Sequence, residues 1–163
     1  MILDAEIFTQ DIGNLERAIG DGQYDVVLPL AVATEIKIRC STDPEVARRY
    51  QILEKLVMER KVRLMTARGT FLSDLSLQSE ETESMSDVQK RKARIHTRII
   101  DVASFLLKKS AISSTQKEKT DCGGLAKVFV VTNDRHLRIQ AASRQILSSS
   151  IYNLQLHIQN NSK

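Results

Sequence analysis

Two carboxylates follow directly on apolar runs. Asp4 comes after Met1-Ile2-Leu3, and Asp134 comes after Val128 to Val131 in the context Val-Thr-Asn-Asp. If those runs are neighbouring strands, both carboxylates project over one edge of the sheet, where two negative charges a few ångströms apart repel unless a cation bridges them. Oxygen ligands of this kind suit a hard cation, Mg²⁺ or Mn²⁺. Asp4 and Asp134 are therefore the expected metal ligands, and Glu35, a turn beyond Pro29, lies close enough to join them. Taken singly, each carboxylate also reads as an N-cap or turn residue. The three together point to divalent-metal chemistry.

The elements that must position these groups are legible from apolar periodicity. Met1 to Asp4 reads as a very short strand. Phe8, Ile12, Leu15 and Ile19 then share one helical face, stopped by Gly20-Asp21-Gly22. Tyr24 to Leu28 is a continuous apolar strand closed by Pro29, and a short helix follows through Ile36. Pro44 sits where a first helical turn tolerates it, opening a helix with Val46, Tyr50, Leu53 and Leu56 inward. Val62 to Met65 is a third strand. From Ala67 to about Lys92 the chain is polar and reads as a long loop, acidic at Asp74, Glu80, Glu81, Glu83 and Asp87, then basic. Ile95, Ile99, Val102, Ala103 and Leu106 mark a helix. Ser110 to Gly124 reads as a second polar loop, Val128 to Val131 as the strongest strand, and Leu137 to Ile146 as a helix. Ser149 to Tyr152 reads as a last edge strand. The expected domain covers residues 1–155, with 156–163 as a polar tail.

Apolar strands alternating with helices predict a three-layer α/β/α fold around a central parallel sheet. In such sheets ligands collect at the carboxyl ends of the strands, where Asp4 and Asp134 are expected. With 163 residues, 42% hydrophobic and 27% charged, the chain supports one globular core and is not globally disordered, collagenous or membrane-embedded. Aromatics are 4% with no Trp, too few for a base-stacking platform. Cys40 and Cys122 have neither metal-type spacing nor a disulfide framework. The start of the chain lacks the basic and apolar segments of a signal peptide, and no run is long enough to span a membrane. The expected compartment is cytoplasmic.

The motifs resemble those of the PIN domain, a small parallel-sheet nuclease fold in which acidic residues at strand ends hold divalent metal for RNA cleavage. Asp4-Ala5-Glu6 matches the family's opening motif, Leu28-Pro29 through Glu35 its strand-Pro-Glu element, and Thr132-Asn133-Asp134 its most specific motif, continuing as Arg135-His136-Leu137-Arg138. Leu64 to Gly69, Val130 to Arg135, and the opening Asp4-Ala5 with Phe8 and Gly13-Asn14-Leu15 look most like the PIN proteins of nonsense-mediated mRNA decay. These are the decay endonuclease and a small accessory protein that binds the pathway's RNA helicase. The resemblance implies a catalytic set of Asp4, Glu35 and Asp134. It also exposes two departures. RNA-cutting members carry a further Asp where His96 and Thr97 fall here, and Asp101, one turn beyond Thr97, stands roughly 6 Å too far along the helix. Glu6 replaces the neutral amide of the opening motif.

Losing a ligand weakens both ion fixation and water orientation. The resemblance therefore implies a degenerate member whose main activity is docking on the decay helicase, with Mg²⁺ or Mn²⁺ weakly held; the alternative is an active metal-dependent endoribonuclease. The run Lys90, Arg91, Lys92, Arg94, with Arg98, reads either as a track for an RNA backbone or as a solvated helix start. His96 could donate to a phosphate or bind metal, but as a single histidine beside arginines it reads as a surface residue. His136 and Arg138 read as cleft or solvated-face residues. The polar stretches Ser73 to Lys92 and Ser110 to Gly124 are the expected docking loops.

Overall fold

Short strands with no solvated face must be covered by helices on both sides, and the computed structural model meets that requirement. It describes residues 1–10, 15, 16, 19, 24–76, 87–115 and 127–161. Six strands form one sheet in the order β4-β3-β2-β1-β5-β6: β1 Ile2–Leu3, β2 Val26–Pro29, β3 Val62–Met65, β4 Phe71–Leu72, β5 Phe129–Val131 and β6 Leu147–Ser149. All neighbours are parallel except β4, which pairs antiparallel with β3 at the edge. The expected three-layer α/β/α architecture is present, with this antiparallel edge added. The helices are α1 Ala5–Gln10, α2 Leu30–Cys40, α3 Pro44–Met58, α4 Val88–Thr115, α5 Arg135–Ser143 and α6 Ile151–Asn161.

Local chemistry explains most boundaries. Asp43 caps α3, its carboxylate accepting from Glu45 N at 2.9 Å and Val46 N at 3.3 Å, and Pro44 takes the first helical position. Val46, Tyr50, Leu53 and Leu56 are all buried, as their spacing predicts. Leu15 and Ile19 are buried too, whereas Ile12, the Gly20-Asp21-Gly22 stop, Glu80, Glu81, Glu83 and Gly123-Gly124 lie outside the described residues.

Three expectations are corrected. Helix α4 begins at Val88 and continues to Thr115, so it takes the end of the first polar stretch and the start of the second, both read as loops. Its first turns carry charge on the inward face, which apolar periodicity does not register. The hairpin β3–β4 replaces the start of the first loop: Thr66 N donates to Thr70 O at 2.9 Å around a turn in which Gly69 has φ +87°. The positive φ favours glycine there, and a Cβ would meet the Phe105 ring of α4 at 2.3 Å, so that exposed ring would have to shift. Finally, Ile151 opens α6 where the chain reads as extended to Tyr152; Asn133 Oδ1 accepts from Ile151 N at 3.3 Å.

Helix α4 lies across β2 and β5 and packs on α2 and α5, burying Ile95, Ile99, Ile100, Val102 and Ala103. This placement sets its first turns over the carboxyl ends of the central strands. Among the described residues no helix is long and apolar enough to cross a membrane.

Candidate functional site

The strand order reverses between β1 and β5, since β2 and β3 extend one side of β1 while β5 and β6 extend the other. Such a switch point opens a crevice at the carboxyl ends. Register fixes what lies there. Leu3 pairs with Val131, and Asp4 N donates to Val131 O at 3.2 Å, so Asp4 is level with Thr132. Thr132, fully buried, donates its hydroxyl to Asp4 Oδ2 at 2.7 Å and accepts from Asp134 N at 3.0 Å. One side chain thereby ties the Asp4 carboxylate, 128 residues away, to the Asp134 backbone.

Each acid has a different setting. Asp4 is 4% exposed, and its other oxygen accepts from Ala5 N at 2.6 Å. Burial raises its carboxyl above the ordinary carboxylate range, against the opposing pull of the Thr132 hydroxyl and His96. Asp134 caps α5, accepting from Leu137 N at 3.0 Å, while Lys92 Nζ lies 2.7 Å from its Oδ2. Burial opposes its ionisation, but the Lys92 hydrogen bond and the Leu137 amide outweigh it and lower the carboxyl to about 2. Glu35, almost fully buried on α2, pairs with Arg39 Nε at 2.8 Å through Oε1. Its buried Oε2 meets Arg91 Nε at 2.9 Å as an ion pair without hydrogen-bond geometry.

The basic run therefore turns partly inward. Arg91 reaches Glu35, and Lys92 bridges Asp134 and Glu6, the latter at 3.2 Å. The hydrogen bond to Asp134, and then that to Glu6, raise the Lys92 ammonium's affinity for its proton despite burial. Lys90 pairs with Asp87 at 3.7 Å and Arg98 with Asp101 at 3.4 Å. Asp101 is not brought to the cluster: it is half-exposed and shares the outward face of α4 with Thr97, which is exposed and bonds its hydroxyl to Ala93 O at 3.1 Å. His96 corrects the surface reading. It is 5% exposed, with Nε2 3.9 Å from Asp134 Oδ2, and burial lowers its affinity for a proton although Asp4 and Asp134 pull the other way. His136 is exposed on α5, and Arg138 is half-buried there.

A cation does stand at this edge, but between Asp134 and Glu6 and not between Asp4 and Asp134: the Lys92 ammonium. A divalent ion does not fit this arrangement as it stands, because Asp134 and Glu6 already share a positive charge and Glu35 lies between two guanidinium groups. Among the described residues no group of three or more His, Cys, Asp or Glu is arranged to hold a metal. A neighbouring cleft of about 430 Å³ is lined by Pro29, Ala31, Thr66, Arg68, Thr70 and Arg98, and none of the three acids lines it.

Glu6, Lys92 and Thr132 are the site residues whose pairing the sequence did not reveal. A signal for Lys92 exists. Stepping back from Ile99 by four and seven residues gives Ile95 and Lys92, so the buried face of α4 extends onto the lysine.

The family model described as PIN domain matches residues 1–152 of the chain. No curated protein matches it.

Proposed function

The chain belongs to the PIN-domain family, and on that premise we propose that it acts in RNA metabolism as an accessory factor of nonsense-mediated mRNA decay. In this reading it docks on the pathway's RNA helicase and does not cut RNA itself. The observation that carries the loss of cleavage is the content of α4 at the acid edge. Where RNA-cutting relatives are expected to place a further carboxylate, α4 brings His96 inward and turns Thr97 to solvent. PIN domains are typically dependent on a divalent metal, and metal-assisted cleavage needs an ion held by several oxygen ligands and a water oriented on it. Here the nearest carboxylates are engaged by Lys92 and Arg91. The partner's identity rests on the likeness of the opening and Thr-Asn-Asp motifs to those of the decay proteins.

Of the expected RNA-backbone track Lys90, Arg91, Lys92, Arg94 and Arg98, contact with phosphates falls to Lys90, Arg94 and Arg98, because Arg91 and Lys92 are turned inward onto Glu35, Asp134 and Glu6. Binding through such charges is sequence-tolerant and falls steeply as salt rises.

The test is a pull-down of the purified decay helicase by the full chain at micromolar concentration, repeated after shortening residues 77–86 or 116–126, which lie outside the described residues. Association is expected, and loss on shortening one segment locates the contact. No association with the intact chain overturns the docking reading.

A second reading, a Mg²⁺- or Mn²⁺-dependent endoribonuclease, is favoured by one observation: Thr132 holds Asp4 and Asp134 together at the switch point. Brisk cleavage of unstructured RNA in Mn²⁺, lost in Asp134→Asn, would put this reading first.

A further inference from the structure

We infer that Lys92 is a resident counter-ion, its ammonium standing between Asp134 and Glu6 where an acidic phosphodiesterase centre would place a divalent metal, so that metal and lysine compete for the same carboxylates. The inference rests on reading this edge as a metal-type carboxylate centre and is independent of which partner the protein docks on.

Three observations support it. Lys92 Nζ lies 2.7 Å from Asp134 Oδ2 and 3.2 Å from Glu6 Oε1, within reach of both at once. Its partners come from α1 and the β5–α5 junction, 86 and 42 positions away in sequence, so the bridge is a property of the fold and not of a local helical turn. And the surrounding acids are arranged around it: Thr132 couples Asp134 to buried Asp4, while Arg91, one residue before Lys92, engages Glu35.

The competition follows from charge. A divalent ion held by Asp134 would lie close to an ammonium already held by that carboxylate, and the repulsion between the two positive charges weakens the binding of each. Removing the ammonium leaves Asp134 and Glu6 facing one another beside Asp4. That arrangement gains from binding a dication what it loses in mutual repulsion.

The experiment uses the full chain and Mn²⁺ alone as the probe, read by electron paramagnetic resonance of the free ion and by the shift of the thermal midpoint. Wild type is expected to bind weakly and to show little Mn²⁺-dependent rise in midpoint. Lys92→Met is expected to melt lower without metal, to recover on addition of Mn²⁺, and to bind at least about tenfold more tightly. Adding Asp134→Asn to Lys92→Met should abolish that gain. Wild type binding Mn²⁺ as tightly as Lys92→Met, or no gain in the variant, overturns the inference.

Should Lys92→Met not fold, reductive methylation of the wild type followed by peptide mass analysis decides the matter. Lys92 should label several-fold more slowly than the exposed Lys55, and millimolar Mn²⁺ should speed its labelling by displacing it. Labelling at the rate of Lys55, or unaffected by Mn²⁺, overturns the inference. None of these readouts involves the helicase, so failure here leaves the docking reading standing, and failure of docking leaves this one standing.

Discussion

Asp4 and Asp134 end neighbouring strands, share the Thr132 side chain, and yet are pushed in opposite directions. At the end of β1 the carboxylate is buried against backbone and a hydroxyl with no ammonium at hand, and burial raises its proton affinity. At the end of β5 the carboxylate caps a helix and holds Lys92, and these donors outweigh burial to lower it to about 2. Position in the fold brings the two acids together; what each then does is decided by the donors of α1, α4 and α5. Two carboxylates whose proton affinities are driven apart divide their roles. The donors around Asp134 favour its anion, and burial biases Asp4 toward its neutral form.

The bond that joins the two ends should matter most. Thr132→Val removes a donor to Asp4 and an acceptor for Asp134 N in a fully buried position, and is expected to cost about 3 kcal/mol in urea unfolding. A cost below about 1 kcal/mol would mean that Thr132 does not couple the acids.

The next effect separates the acids themselves. At neutral pH, Asp134→Asn keeps a capping side chain but loses the charge pair with Lys92, which is 42% exposed and therefore screened, so a loss of about 1 kcal/mol is expected. Asp4→Asn relieves a buried charge and should leave stability unchanged or slightly higher. Equal losses in the two variants would break the comparison.

Their pH dependence should differ in sign. Asp134 has a folded proton affinity below its unfolded one, so its contribution is fully present above pH about 4 and is lost as pH falls toward 2. Asp4 is raised, so its share of stability increases as pH falls toward about 4. Denaturation midpoints measured from pH 7 to 2 should lose the acid-side drop in Asp134→Asn and the higher-pH gain in Asp4→Asn.

The smallest effect is on His96. Its imidazole should titrate below about 6.5 by NMR, because burial dominates, and Asp4→Asn should lower it further than Asp134→Asn, Asp4 being the stronger of the two carboxylate influences. An imidazole titrating at or above the ordinary value would contradict the buried placement.

How much of this was legible depended on what kind of force places each group. Asp4 and Asp134 follow apolar strands, and the pattern that predicts the strands also predicts the convergence of their ends. The inward face of α3 was equally plain, because Val46, Tyr50, Leu53 and Leu56 are held by burial alone. The start of α4 was not, since Val88 to Arg94 contains one other apolar residue, Ala93, and its inward contacts are ionic. A charge run looks the same whether it faces phosphates, solvent or buried carboxylates. Strand β4, two residues long, is too short for alternation to register, and only the preference for glycine at Gly69 marks its turn.

Helix α4 has 28 residues, a rod of about 42 Å in a domain whose radius of gyration is about 15 Å at this length. It is pinned at two stations. Near its start Lys92 is seated by charge, and thirteen residues later, about 20 Å along, the partly exposed Phe105 ring lies over the bare backbone of Gly69. A single inserted residue between them would turn one station by about 100° relative to the other, so both cannot be occupied at once. The segment from Lys92 to Phe105 thus works as a gauge of fixed length and phase: it tolerates exchange of side chains along its solvent face, but no change in the count of residues between its pins.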